Sequence, residues 1–305
     1  MKLRTKDITT SHRMKSVRLL LLVLCGLLLA ATAGAQDAKQ SQTESRYASL
    51  DGARIRYQSY GKGREALVLI HGWSCSVEYW RDLIPDLSKR SRVIAIDLPG
   101  HGLSDKPQVA YTMDLFARAV DAVMRDAGVK RGVLVGHSMG TPVARQFYRK
   151  YPQKTLAIVI VDGALRPFGD KKLMEGFIAP LRGANYKEAG AGMLAGMGGP
   201  SLSPELKERI QASFLKTPQY VLVSAMEGMA DESIWGQDKI NVPVLAIMTK
   251  SPFWPADTEQ FYRGIAPRLD FQRWDGVGHF LMMEKPKEFD AALIAFLDKN
   301  ALLKK

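Results

Sequence analysis

The sequence predicts an α/β protein built on a mostly parallel central sheet flanked by helices. Three observations carry that prediction. Apolar, β-branched runs alternate with helix-compatible stretches from Ala66 to Val161, the pattern of repeated βαβ units. A Gly-x-Ser-x-Gly pentapeptide, Gly136-His137-Ser138-Met139-Gly140, stands where one such run gives way to a helical stretch. Near the C-terminal end His279 sits in a glycine-rich loop, again between an extended segment and a helix. The chain has 305 residues, 46% of them apolar, which suffices for one full core.

Residues 1–35 are expected to lie outside that core. Lys15 and Arg18 precede an apolar run, residues 19–29, and small residues follow, ending in Ala33-Gly34-Ala35. This is the order of a secretory signal peptide. Met14 is an alternative start, because residues 1–13 only lengthen the charged region. The apolar run falls short of the roughly 20 residues of a membrane span, so a signal peptide is preferred to an anchor. Leu24 before Cys25 speaks against lipid attachment there. Cleavage after Ala35 would leave residues 36–47 as a polar tether and send the protein to the periplasm or outside the cell.

The first strand-like run, Ala66-Leu67-Val68-Leu69-Ile70, leads into His71-Gly72-Trp73. Glycine lets the backbone approach a reacting carbonyl, and the amides of Trp73 and Met139 are expected to bind a developing oxyanion. Residues 79–89 suit a helix. A second run, Val93-Ile94-Ala95-Ile96, passes into Asp97-Leu98-Pro99-Gly100-His101-Gly102-Leu103-Ser104-Asp105, and residues 114–127 again suit a helix. The third run, Val133-Leu134-Val135, enters the Gly-x-Ser-x-Gly turn, and residues 141–151 follow as a helix. The glycines belong to a sharp bend that leaves Ser138 exposed with a strained backbone. A serine hydroxyl alone is a poor nucleophile, so a base is required elsewhere. His279, in Gly276-Val277-Gly278-His279-Phe280, follows an extended segment at 269–274 and precedes a helix opening near Pro286. The order, serine in the middle and histidine near the end, selects it.

The His71-Gly72-Trp73, Asp97-to-Asp105 and Gly136-to-Gly140 motifs are specific in combination. Over about residues 48–303 the chain resembles the α/β-hydrolase fold family. The resemblance implies a core of residues 48–163 and 241–303, with a helical cap at 164–240. In that interval stand Met174, Met193, Met197, Met226 and Met229, a glycine-rich stretch at 183–199 and one strand-like run, Tyr220-Val221-Leu222-Val223. It also implies that His71, Asp97 and His101 organise loops and that His137 faces structure. The family's acid usually follows the strand Pro243-Val244-Leu245-Ala246-Ile247-Met248, but the turn Thr249-Lys250-Ser251-Pro252-Phe253-Trp254-Pro255 has no carboxylate. A family variant places the acid one strand earlier. There Ala157-Ile158-Val159-Ile160-Val161 ends in Asp162, 24 residues beyond Ser138. Asp162 is therefore the preferred acid and Asp257 the alternative. The implied activity is serine hydrolysis of carboxylic esters by Ser138, His279 and Asp162. Lactones, thioesters, amides and carbon–carbon bonds are alternatives with the same machinery, and a non-catalytic binding protein is an alternative of another class. Epoxide and haloalkane chemistry is disfavoured, because relatives performing it carry an aspartate where Ser138 stands.

Charge excludes some partners. The formal net charge of +12 falls to +7 without residues 1–35, which hold six Lys/Arg and one Asp. The remaining excess is scattered in pairs such as Arg149-Lys150, with no aromatic-interleaved basic stripe, so nucleic acid is not an expected partner. Beyond residue 35 Cys75 is the only cysteine, which rules out an internal disulfide there and suits packing. No His/Cys ligand spacing suggests a metal, and no cofactor is expected. The expected partner is a small molecule, an apolar acyl or aromatic compound under a methionine-containing lid, with no stable membrane insertion after cleavage.

Overall fold

A computed structural model describes residues 45–303 apart from Phe168. The expected signal peptide and the tether as far as residue 44 lie outside the described residues. The last tether residues are not linker. Strand β1 (Arg46–Leu50) pairs antiparallel with β2 (Ala53–Tyr60). Asp51 and Gly52 join them with φ of 50° and 85°, the two left-handed residues that a tight hairpin requires.

Six more strands follow: β3 (Glu65–Ile70), β4 (Val93–Ile96), β5 (Arg131–His137), β6 (Thr155–Val161), β7 (Val244–Thr249) and β8 (Leu269–Trp274). They form one sheet in the order β1-β2-β4-β3-β5-β6-β7-β8. β2 pairs antiparallel with β4, and every pairing from β4 to β8 is parallel. All of β4 and β7, and nearly all of β3, β5 and β6, are buried. Strands covered on both faces read as continuous apolar runs, which is why these were legible. The chain leaves β3 for β4 on one side and returns to β5 on the other. The crevice beyond the carboxyl ends of β3 and β5 is thus a topological switch point, where open α/β sheets bind ligands.

The expected helix at 79–89 is divided. A 3₁₀ turn (Val77–Trp80) is capped by the Ser76 hydroxyl, and α1 (Ile84–Arg90) starts afresh with Pro85 in its first turn. α2 (Met113–Asp126) begins at Thr112, whose hydroxyl accepts from Leu115 N at 3.1 Å. It packs beside α3 (Gly140–Lys150), the helix that opens on the Gly-x-Ser-x-Gly turn.

Between β6 and β7 lie α4 (Lys171–Arg182), α5 (Tyr186–Ala195), α6 (Pro204–Leu215) and α7 (Gln219–Ala230). The strand-like run at 220–223 is helical, the first turn of α7. Val221, Leu222, Ala225 and Met226 face inward at helical spacing, so packing overrides β-branched propensity. α5 meets α6 so closely that a side chain at Gly190 would enter the Phe214 ring. Met174, Met226 and Met229 are buried and Met193 and Met197 pack on the core, as core methionines would. The segment is tied to the loops over the sheet. Trp73 Nε1 donates to Leu222 O at 2.9 Å, Ser213 Oγ to Ser74 O at 3.0 Å, and Tyr111 N to Ser224 Oγ at 2.9 Å. Beyond β8, α8 (Thr258–Ile265) having preceded it, come the short α9 (Leu281–Glu284) and α10 (Pro286–Lys299).

Candidate active site

Ser138 stands at the carboxyl end of β5 with φ of 53°, a left-handed conformation that costs a non-glycine residue energy and marks a constrained site. Its neighbours show why the turn takes this form. A side chain at Gly136 or Gly140 would collide with backbone, the former with Gly140 and the latter with Ile70 O. Ser138 N donates to Val161 O at 3.0 Å, and Thr141 N closes the bend on Ser138 O at 2.9 Å. Helix α3 leaves from Gly140, so the Met139 N–H lies at a helix N-terminus, where the backbone favours negative charge.

His279 and Asp162 are brought together from 117 residues apart. Nδ1 of His279 lies 2.7 Å from Asp162 Oδ2. Asp162 follows β6, the neighbour of β5, and has a left-handed φ of 43°. The carboxylate is 2% exposed. Its other oxygen, Oδ1, accepts from Thr249 N at 2.8 Å, Thr249 Oγ1 at 2.9 Å and Trp254 Nε1 at 2.8 Å. Burial works against ionisation, but the bonds from His279 and Thr249 outweigh it and hold this carboxyl below the ordinary range. An ionised partner at Nδ1 keeps the proton there and leaves Nε2 as the basic nitrogen. Asp257 is elsewhere. It is exposed and pairs with Arg166, whose Nη1 donates to Oδ2 at 3.0 Å.

The turn after β3 abuts the serine. A Cβ at Gly72 would stand 3.0 Å from Ser138 Cβ and from His137 Nδ1, tighter than ordinary contact, so glycine lets the turn lie against the serine elbow. The flanking histidines are structural in their contacts. Leu98 N donates to His71 Nε2 at 3.0 Å, His101 Nδ1 bonds Pro99 O at 2.9 Å, and His137 Nε2 bonds His279 O at 2.9 Å. Burial lowers their pKa values to about 4, 3 and 3 respectively, and all three are neutral near pH 7. Asp97 holds its loop by accepting from Val77 N at 2.8 Å, Leu103 N at 3.0 Å and Arg56 Nη1 at 3.0 Å. Cys75 is buried and its thiol is pushed up to about 12 by burial, so it packs and does not react. Thr249, Trp254 and Glu284, which contact the Asp162 and His279 loops, were not legible as site residues. The one signal was the carboxylate-free turn that carries the first two. Among the described residues no cluster of three metal-ligating side chains occurs.

A mostly parallel sheet with a strained serine elbow after β5, and a histidine from beyond β8 paired with the aspartate that follows β6, is the arrangement of an α/β hydrolase. The chain belongs to the α/β-hydrolase fold family, whose model, described as the alpha/beta hydrolase fold, matches residues 65–286. It is 34% identical over 150 residues to the dihydrolipoyllysine-residue acetyltransferase component of the acetoin cleaving system of Cupriavidus necator, covering 48% of this chain. The chain spans between 34% and 42% of the length of this and four further curated relatives. Among solved structures it resembles Est816, an N-acyl homoserine lactone degrading enzyme, with 27% identity and a TM-score of 0.72 over 82% of this chain and all of that one. It also shares the fold of the esterase EaEST from Exiguobacterium antarcticum, with a TM-score of 0.76 and 17% identity over 84% of this chain and all of that one.

Proposed function

We propose that the protein is an exported serine hydrolase that cleaves carboxylic esters through an acyl-enzyme. The observation that carries this reading is the 2.7 Å bond between His279 Nδ1 and a buried Asp162, at the strand ends where Ser138 is held at φ of 53°. Ser138 Oγ attacks the acyl carbon while His279 Nε2 takes its proton. The Trp73 and Met139 N–H groups hold the oxyanion. The tetrahedral adduct collapses and the leaving alkoxide takes the proton back from His279. Water, deprotonated by the same nitrogen, then attacks the acyl-enzyme, and Ser138 is released. Asp162 stays ionised throughout, fixes the tautomer and stabilises the imidazolium.

Residues 164–240 serve as the cap, and their buried methionines and apolar helices suit acyl or aromatic substrates. Residues 1–35 serve as a cleaved signal peptide that places the enzyme in the periplasm or outside the cell. A second reading, lactone opening, uses the same atoms and is favoured by the likeness to Est816.

The test is the purified mature protein on a panel of esters and lactones, with a fluorophosphonate label. Wild type should be labelled and turn over. Folded Ser138→Ala should lose label and several orders of magnitude in rate, since triad members act as a unit. Undiminished turnover by folded Ser138→Ala would refute the mechanism. Absence of label and turnover in wild type would favour a binding protein on the same fold.

A further inference from the structure

The loop that carries His279 is not closed by the sheet alone. Gly278 N donates to both carboxylate oxygens of Glu284, at 3.1 and 3.2 Å. The same carboxylate reaches into the inserted helical segment. It accepts from Gly199 N at 3.3 Å and from Ser201 Oγ at 2.6 Å. Next to it, His279 N donates to Met197 O at 2.8 Å. Gly199 and Gly278 lie back to back, and a side chain on either would overlap the other's amide nitrogen. His279 is thus held at its N–H by Met197, at its carbonyl by His137 and at Nδ1 by Asp162.

We propose that Glu284 is a positioning residue that sets His279 by bridging its loop to the glycine-rich turn at 197–201, so that the base is aligned only when the helical segment is seated. This rests on the reading of His279 as the general base. The physical case is one of count and direction. Gly278 immediately precedes the histidine, and its N–H has the Glu284 carboxylate as its acceptor among the described residues. A charged acceptor makes stronger bonds than a neutral one. Two glycines packed without side chains give the two loops no room to slide. Removing the carboxylate frees the Val277–Gly278 peptide, one residue before His279, and an error of about 1 Å at a catalytic group costs roughly a hundredfold in rate.

The experiment compares Glu284→Ala, Glu284→Gln and Ser201→Ala with wild type on one activated ester, with kcat, KM and thermal midpoint measured for each. Ser138→Ala and Asp162→Asn run beside them. Glu284→Ala should lower kcat by about ten- to a hundredfold, with KM within about threefold, because the base is misplaced and the pocket kept. Glu284→Gln keeps one carbonyl oxygen for the amides and should recover a substantial part of the loss. Ser201→Ala should fall between wild type and Glu284→Ala. A lowered midpoint with unchanged kcat in the folded fraction would overturn the proposal and leave Glu284 a fold-stabilising residue. Should Glu284→Ala not fold, wild-type kcat in both Glu284→Gln and Ser201→Ala would overturn it equally. Full activity in Ser138→Ala or Asp162→Asn would instead refute the reading of the site on which the proposal stands.

Discussion

Asp162→Asn is the substitution that tests the site most sharply, because the carboxylate's surroundings fix how an amide would sit. Oδ1 accepts from three donors, Thr249 N, Thr249 Oγ1 and Trp254 Nε1, while Oδ2 faces His279 Nδ1. An asparagine that keeps its carbonyl towards the three donors must point its NH₂ at the imidazole. The flipped amide would instead leave three buried donors facing a donor, at about 1–3 kcal/mol each. The first arrangement therefore wins by several kcal/mol. In it Nδ1 must accept, the imidazole proton moves to Nε2, and the base can no longer take a proton from Ser138. The expected loss in kcat/KM is about 10⁴-fold, or roughly 5 kcal/mol of activation free energy. The fold should survive, since the shape is kept and the three bonds on Oδ1 persist as neutral ones, with the charge-assisted contact to His279 as the main loss. Asp257→Asn should leave the rate within about twofold, because Asp257 is an exposed carboxylate whose ion pair is with Arg166 and not with His279. The assay is kcat/KM on an activated ester with circular dichroism for folding. A folded Asp162→Asn within tenfold of wild type refutes the tautomer argument, and a large loss in Asp257→Asn would move the acid there.

Two further outcomes follow from the buried histidines and the N-terminus. His71, His101 and His137 have folded pKa values lowered to about 4, 3 and 3 by burial, against 6.5 unfolded, so their stabilisation is full above pH 6.5 and lost as pH falls through the folded values. Each contributes about 1.4 kcal/mol per pH unit in that window, together about 4. Asp290, whose carboxyl burial pushes up to about 7, offsets part of this. The urea midpoint should therefore drop markedly between pH 7 and 5.5, and an unchanged midpoint would refute the assignment of three neutral buried imidazoles. The intact mass of the exported protein should begin at Gln36, and an uncleaved chain would count against the signal-peptide reading.

How much was legible depended on the range of the interaction. The doubly covered strands announced themselves as apolar runs, and the serine elbow is a local motif, although Gly136 is required by the backbone of Gly140 and Gly140 by the distant Ile70 O. The β1–β2 hairpin left a signal, Asp51-Gly52, but β1 is mostly exposed and β2 mixes Arg54, Arg56 and Gln58 with its apolar residues, so neither reads as an apolar run. Tyr220-Val221-Leu222-Val223 misled because a four-residue apolar run carries no period, and only its burial at helical spacing decides. Thr249, Trp254 and Glu284 were out of reach. The first two matter through a carboxylate 87 and 92 residues away, and the third through a turn 85 residues away, pairings that sheet register and loop packing create.

The missing acid in the turn after β7 has a physical counterpart in what replaces it. β6 and β7 run parallel with Val161 opposite Ile247, so the turns beyond them face one another across one strand spacing. Either turn can offer a carboxylate to a histidine arriving from β8. Carboxylates in both would place two like charges beside one imidazole, and each would disfavour the other's ionisation. Placing the acid on β6 puts Asp162 in the left-handed region, at φ of 43°. It also buries the carboxylate, which needs donors on the side away from the histidine. The turn after β7 supplies them: Thr249 through both its amide and its hydroxyl, and Trp254 through its indole. The turn that lacks a carboxylate is thus the one that supplies the donors holding Asp162.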